Sequence, residues 1–290
     1  MPNTVLILGA SGKIGTHSAR SFAAAGWKIR RFNRDHDNMI EAAQGVDVIL
    51  NGMNPPNYHD WANLIPALTQ KVIAAAKSSG ATVLLPGNVY PFGKQAGPWS
   101  ESTPHHPCAR KGRIRVDMLN AYRQSGVQTV ILRAGDFIDP DHQGDIMSVM
   151  LLRGIAKGKI TAPGPTDRLH AYAYLPDWAR AAVALAEKRT TLARFEDIPF
   201  PGHAFTLDHL RAELEKQLFR PLRFTGFPWW ALRLAGPVWE LARELSEMRY
   251  LWQVPHSLSA EKFNSLLPTF EPTPLADVLR AALPADIDPN

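Results

Sequence analysis

Gly9, Gly12 and Gly15 fall three residues apart in Val5-Leu6-Ile7-Leu8-Gly9-Ala10-Ser11-Gly12-Lys13-Ile14-Gly15, a spacing that suits the binding of a diphosphate. In such a turn the first glycine takes the chain sharply off a strand. The second lets backbone approach a pyrophosphate, and the third lets helix and strand pack closely. A helix starting near Lys13 leaves free N–H groups and a positive dipole end for the anion. Gly9, Ser11, Gly12, Lys13, Ile14 and Gly15 are therefore the expected cradle of a dinucleotide.

The residue that ends the second strand sets the choice between the two nicotinamide dinucleotides. An acid there would bind the adenosine ribose 2′-OH and repel a 2′-phosphate. Here the position is Asn33, followed by Arg34, with Arg30 and Arg31 upstream. A guanidinium fork matches a phosphate bidentately. The expectation is NADP in preference to NAD, with Arg34 the main phosphate partner and Lys13 a helper. In the alternative, the arginines form a solvated strand end and Asp35 or Asp37 reads the ribose.

The elements that must position these residues alternate. Segments 27–32, 46–50, 82–85 and 129–132 read as strands after the first, and 13–25, 61–79 and 113–125 as helices. That alternation predicts an α/β fold with a parallel sheet covered on both faces. Later, 171–175 is extended, Asp177 is expected to cap a helix over 179–187, and Thr206 to cap one over 207–218. Segment 222–225 returns as a strand, and Pro237 breaks a Trp- and Leu-rich helical stretch over 227–252. The expected division is a dinucleotide-binding domain over 1–165, to which 168–190 returns, and a smaller substrate lobe formed mostly by 191–290.

Composition narrows the classes of function. The net charge of +5 suits anionic ligands, but the basic residues are scattered and form no run that implies nucleic acid. Cys108 is the only cysteine, which excludes an internal disulfide and a multi-cysteine metal site; no metal is expected. No stretch approaches the roughly 20 apolar residues of a membrane span, and the N-terminus runs straight into a strand without a secretory pattern. A cytoplasmic protein acting on a small molecule is expected, as monomer or homodimer.

By this point the motifs carry a family likeness. Gly9-x-x-Gly12-x-x-Gly15, Asn51-Gly52-Met53 after the third strand, and Leu84-Leu85-Pro86-Gly87-Asn88-Val89-Tyr90 after the fourth resemble the extended and atypical short-chain dehydrogenase/reductases. So do Leu132-Arg133-Ala134-Gly135-Asp136-Phe137 and Tyr174-Leu175-Pro176-Asp177-Trp178-Ala179-Arg180. The nearest branches are the sugar-nucleotide epimerase/dehydratases and the nitrogen-regulator-like proteins. The resemblance implies a Rossmann-type doubly wound parallel sheet, with the cofactor across the C-terminal strand ends and a C-terminal lobe closing over the substrate. It adds Asn51, Gly52, Met53, Pro86, Gly87 and Asn88 to the expected cofactor contacts.

One departure bears on catalysis. The family usually carries a Tyr-x-x-x-Lys pair before the fifth strand, in which the lysine lowers the phenol pKa for proton exchange. No tyrosine lies between Tyr90 and Tyr122. The tyrosine place is Ala109 or Lys111, the lysine place is Arg113 or Arg115, and the serine place falls near Pro86. Tyr90 and Lys94 form the same string, but Pro91 and Gly93 make it a loop, so the two side chains need share no helical face.

Catalysis then needs other groups. Lys111 is the first candidate, as an acid or base among other cations, against the alternative of a solvated lysine at a helix start. Asn88 could orient a substrate oxygen; His105, His106, Asp136 and Cys108 are further candidates. Trp229, Trp230, Trp239 and Trp252 are expected to pack the lobe, before lining a pocket or meeting a membrane. Residues 170, 172 and 174 share one face of a strand, directed to cleft or solvent. The expected function is NADP-dependent oxidoreduction of a small carbonyl or alkene. The alternatives are a non-catalytic NAD(P)-binding sensor and a sugar-nucleotide epimerase or dehydratase.

Overall fold

A computed structural model of the protein describes residues 2–142, 144–284 and 286–287. In chain order the elements are β1 (Thr4–Leu8), α1 (Lys13–Ala24), β2 (Lys28–Arg31), α2 (Met39–Ala42), β3 (Val48–Asn51), α3 (Trp61–Ser79) and β4 (Thr82–Gly87). They continue with α4 (Arg110–Ser125), β5 (Thr129–Arg133), β6 (Asp136–Ile138), β7 (Lys159–Ala162), β8 (His170–Tyr174), α5 (Leu175–Glu187), β9 (Phe195–Pro199) and β10 (His203–Phe205). The last are α6 (Leu207–Leu218), β11 (Arg223–Gly226), α7 (Trp229–Ala235), α8 (Glu240–Glu247), α9 (Glu261–Leu266) and α10 (Leu275–Ala281).

A six-stranded sheet in the order β2-β1-β3-β4-β5-β9 forms the centre, and each of its pairings is parallel. The order reverses between β1 and β3, which opens the ligand crevice of a Rossmann-type sheet beyond the carboxyl ends of those strands. β1 shows why the sheet is covered twice. Val5 and Ile7 pack with Ala19 and Phe22 of α1 and Trp178 and Leu185 of α5. Leu6 and Leu8 point the other way, to Ile65 and Val72 of α3 and Leu119 and Tyr122 of α4. Each such side chain contributes about 1.5–3 kcal/mol on leaving water.

Tertiary contacts move several expected boundaries. β4 runs on to Gly87 because Pro86 and Gly87 pair with Leu132 and Arg133 of β5. α4 begins at Arg110, earlier than 113, because a distant carboxylate caps it: the Arg110 N–H donates to Glu247 Oε1 at 2.5 Å. A negative charge at that end satisfies a free N–H and complements the dipole. Asp177 does not cap α5, which starts two residues before it. Its buried carboxylate instead accepts the N–H and hydroxyl of Thr273, each at 2.7 Å, pinning the C-terminal segment to the helix start. Thr206 caps α6 as expected, accepting from the His209 N–H at 3.0 Å.

The division at residue 191 also shifts. β9 completes the main sheet beside β5, although Phe-Glu-Asp-Ile-Pro lacks the apolar alternation of a half-buried strand. Conversely β6 and β7, which precede residue 165, join β8, β10 and β11 in the lobe's small sheets. The lobe has its own core, in which Tyr172, Phe205, Leu210 and Leu279 meet.

Candidate functional site

Two groups of residues meet the crevice, one built by the glycine turn and one by the loops after β3 and β4. Gly9 holds φ +76, a left-handed conformation that β-carbon-bearing residues avoid. A Cβ on Gly15 would lie 2.2 Å from the Gly9 carbonyl oxygen and 2.7 Å from Ala10 Cα, so only glycine lets α1 approach β1 this closely. A Cβ on Gly12 would meet nothing nearer than 3.5 Å, so its place in the turn is open for a ligand. Among the described residues no side chain caps α1 at Gly12, which leaves the first-turn N–H groups to an anion. The same turn gathers Gly52, Met53 and Ile14, since a Cβ on Gly9 or Gly52 would touch them at 3.1–3.3 Å. Asn51 fixes that corner by accepting the Met53 N–H at 3.2 Å. These residues fit a dinucleotide pyrophosphate.

An exposed turn, 33–37, follows β2 beside the glycine turn. Asn33 is occupied in shaping it, accepting the Asp35 N–H at 3.0 Å while its own N–H donates to Asp37. Arg34 is free to reach a ligand, with its side chain 79 % exposed and Asp35 3.6 Å away. Arg30 is held by the carbonyls of Ala42 and Gln44. Lys13 points elsewhere than expected: Nζ donates to the Gly144 carbonyl at 2.9 Å, tying α1 to the segment after β6. His17 and Arg20 reinforce that tie, at 2.8 Å to Asp139 and 2.6 Å to Asp141.

Among the catalytic candidates, Lys111 is fully buried, not a solvated helix-start lysine. Its Nζ contacts the Glu244 carboxylate, the Glu244 carbonyl at 3.0 Å and Glu247 Oε2 at 2.8 Å. A lysine has three N–H donors, so these partners take them all and bind α4 to α8. Burial pushes the Glu247 carboxyl up, but the hydrogen bonds from Lys111 and the Arg110 N–H outweigh it and leave it below the usual range. Asn88 directs its Oδ1 to the Tyr90 N–H at 3.2 Å, and its carbonyl takes a hydrogen bond from buried Arg133. The geometry gives Lys111 and Asn88 structural partners in place of a free approach to substrate.

What stands at the strand ends instead is a pair of phenols. Tyr58 and Tyr90 meet hydroxyl to hydroxyl at 3.2 Å. Arg115, one of the two places for the family lysine, lies on the Trp61 ring at 4.5 Å and donates to Asn54 Oδ1 at 2.7 Å. Burial raises both phenol pKa values and Arg115 opposes the rise, so each hydroxyl keeps its proton near neutral pH and can donate it. Tyr58 stands at φ +60, in a loop where Asn57 and Asp60 are also left-handed. Backbone held there by a β-carbon-bearing residue is strained, and such strain clusters at functional sites. The sequence reading missed Tyr58; the available signal was a Pro-rich loop, Asn54-Pro55-Pro56-Asn57-Tyr58, leaving the carboxyl end of a strand.

Asp136 faces the same region, raising both phenols further, and accepts from His170 Nε2 at 2.8 Å. On the 170–174 face His170 and Tyr172 are buried and Tyr174 is half-buried. His170 stacks on Trp252 at 4.2 Å and Tyr172 on Phe205 at 4.3 Å. Tyr90 and Lys94 do not share a helix, since Tyr90–Phe92 is a single 3-10 turn ended by Gly93. Cys108 is exposed. His105 packs edge-on to Phe92 at 5.7 Å, with its pKa lowered by burial and by Arg133. The four tryptophans divide: Trp229 and Trp252 pack inward, while Trp230 and Trp239 are exposed. A cavity of about 600 Å³ lined by Gly80, Gly126 and Arg194 lies at the opposite, amino ends of the strands, away from this chemistry.

The fold and the turn define a dinucleotide-binding α/β protein of the short-chain dehydrogenase/reductase type, and the comparisons agree. The NAD dependent epimerase/dehydratase family model matches residues 5–198, so the chain belongs to that family. No curated protein matches it. Among solved structures it is similar to a UDP-glucuronic acid 4-epimerase from Bacillus cereus in complex with UDP-glucuronic acid and NAD. The identity is 15 %, over 96 % of this chain and 97 % of that one, at a TM-score of 0.75. A dTDP-4-dehydrorhamnose reductase from Clostridium acetobutylicum is 14 % identical over 96 % and 97 %, at 0.73. A nucleoside-diphosphate-sugar epimerase from Pseudomonas aeruginosa is 16 % identical over 97 % and 96 %, at 0.71. At these identities the likeness is one of fold. No helix among the described residues is long and apolar enough to cross a membrane.

Proposed function

We propose that the protein is a cytoplasmic NAD(P)-dependent oxidoreductase, preferring NADP, that acts on a small carbonyl or alkene. The observation that carries this reading is the uncapped α1 N-terminus behind the glycine turn, at the same sheet end as the Tyr58–Tyr90 hydroxyl pair. The backbone of Ser11, Lys13 and Ile14 would hold the pyrophosphate, Gly52 and Met53 would flank it, and Arg34 would take the 2′-phosphate. The bound nicotinamide supplies hydride exchange with the substrate carbon. Tyr58 and Tyr90 then hold the proton destined for the substrate oxygen or carbon. Arg115 steadies the charge left on the phenol, as a lysine does in the family's usual pair. Asp136 keeps that charge from persisting, favouring return of a proton to the phenol. Lys111, in its ion pair, fixes the lobe over the site.

A second reading, a sugar-nucleotide epimerase or reductase, is favoured by the UDP-sugar and dTDP-sugar names of the structural neighbours. Against it stands the absent Tyr-x-x-x-Lys pair. Calorimetric titration with NADP, NADPH, NAD and NADH tests the cofactor assignment on the wild type and Arg34→Asp. NADPH should bind at least tenfold more tightly than NADH to the wild type, and Arg34→Asp should erase the difference. Equal losses for both coenzymes would refute the Arg34 assignment, and absence of binding by all four would refute the oxidoreductase.

A further inference from the structure

Packing absorbs only half of the Trp-rich segment. One side of α7 turns inward: Trp229 donates to the Pro163 carbonyl at 2.7 Å, and Phe227 and Arg249 lie against its ring at 4.6 and 5.5 Å. The other side carries Trp230 and Leu234, with Val238 and Trp239 just beyond Pro237, exposed by 69, 73, 91 and 49 %. Trp230, Leu234 and Val238 are spaced by four, so a helix and its following turn set them in one row. An exposed row of large apolar side chains marks an interaction site.

We propose that this face is a membrane-surface anchor, docking the α7–α8 hairpin onto a bilayer that contains anionic lipid. The charge arrangement selects that partner. The acids of α8 are each held by a cation: buried Glu244 by Arg110 at 2.7 Å, half-buried Glu247 by Lys111 at 2.8 Å, and Glu240, which stays at the surface, by His59 at 2.8 Å. The exposed cations beside the row are Arg233 and Arg243. Arg243 is 56 % exposed and keeps Nε 3.5 Å from buried Glu244, whose charge Arg110 and Lys111 already offset, and the chain carries a net charge of +5. Indole rings beside arginines suit the headgroup level of a bilayer, the indole N–H in the wet layer and the ring in the apolar one. α7 has 7 residues, so it lies on the membrane and does not cross it. A second copy of the chain is the poorer partner. A two-fold contact sets the patch against itself, bringing the arginines of one copy towards those of the other. Four side chains also fall short of the roughly 800 Å² per partner of a stable interface.

The test is sedimentation of the full chain with vesicles of phosphatidylcholine alone or mixed equally with phosphatidylglycerol, alongside tryptophan fluorescence. Binding is expected only to the mixed vesicles, with a blue shift that Trp230→Ser removes. Each exposed arginine near an anionic surface contributes roughly a fivefold factor. Arg233→Gln with Arg243→Gln should therefore weaken binding roughly 25-fold, and salt should do the same. Coenzyme titration of each variant confirms that it is folded. Failure of the wild type to sediment with mixed vesicles would overturn the proposal. So would light scattering that shows a dimer dispersed by Trp230→Ser, since that assigns the row to a second copy.

Discussion

Lys111→Met separates a lysine that holds the lobe from one that moves protons. Lys111 is 0 % and Glu244 3 % exposed at the side chain, so the substitution strands a carboxylate out of water. Breaking a buried pair by removing one partner costs about 3–5 kcal/mol. Arg110 still reaches Glu244 Oε1 at 2.7 Å, and Glu247, 30 % exposed, can turn to water, so the lower end, about 3 kcal/mol, applies. With about 2.1 cal/mol/K of unfolding entropy per residue over 290 residues, 1 kcal/mol is worth roughly 1.6 °C, which predicts a fall in Tm of roughly 5 °C. Adding Glu244→Gln removes the stranded charge, so the double variant should recover at least ~1 kcal/mol relative to the sum of the singles, a coupling expected of residues in contact. Thermal and urea unfolding of the four proteins give the cycle, and coenzyme titration of Lys111→Met should match the wild type. A Tm within ~1 °C of wild type, with turnover lost, would refute the ion-pair reading and return Lys111 to the chemistry.

Further outcomes follow from the same geometry. Gly15→Ala places a methyl 2.2 Å from a backbone oxygen; overpacking of this kind costs about 1–3 kcal/mol, and opening of the turn should weaken NADPH binding at least tenfold. Unchanged calorimetric binding would refute the cradle. Burial and the neighbouring His170 push the pKa of His256 down to about 3, and its Nδ1–H donates to the Val254 carbonyl at 2.9 Å. The unfolded imidazole takes a proton below about pH 6.5 and the folded one does not. Stability should therefore fall with decreasing pH from there towards 3, by about 1.4 kcal/mol per unit for this one group. Urea unfolding across pH 6.5–4.5 should show a flatter profile for His256→Gln, by one proton's slope; parallel profiles would contradict it. Glu247, whose carboxyl is depressed, adds a loss in the same direction only as pH falls through its own lower range.

The sequence by itself determined the glycine turn and the central layers. Gly9, Gly12 and Gly15 act through backbone geometry within one turn, and Val5-Leu6-Ile7-Leu8 alternates between the two cores, so local order carries both. The pair of phenols was not legible, because it joins a loop after β3 to a turn after β4: Tyr58 and Tyr90 stand 32 positions apart and meet only when the strands align. Lys111 shows the same limit from the other side. Its neighbours in the chain are cations that suggest a lowered pKa, whereas its partners in space are two carboxylates more than 130 positions away. β9 escaped notice because an edge strand of Phe-Glu-Asp-Ile-Pro is selected by pairing with β5, not by its own pattern. Among the tryptophans, spacing alone made all four core. Only the packing of α7 against Pro163 and Arg249 decided which side faces in, and so which rings are left for another surface. Contacts within a turn or an amphipathic period are fixed by covalent neighbours; contacts between elements depend on how the sheet sets their distances, and that is settled only when the chain closes on itself.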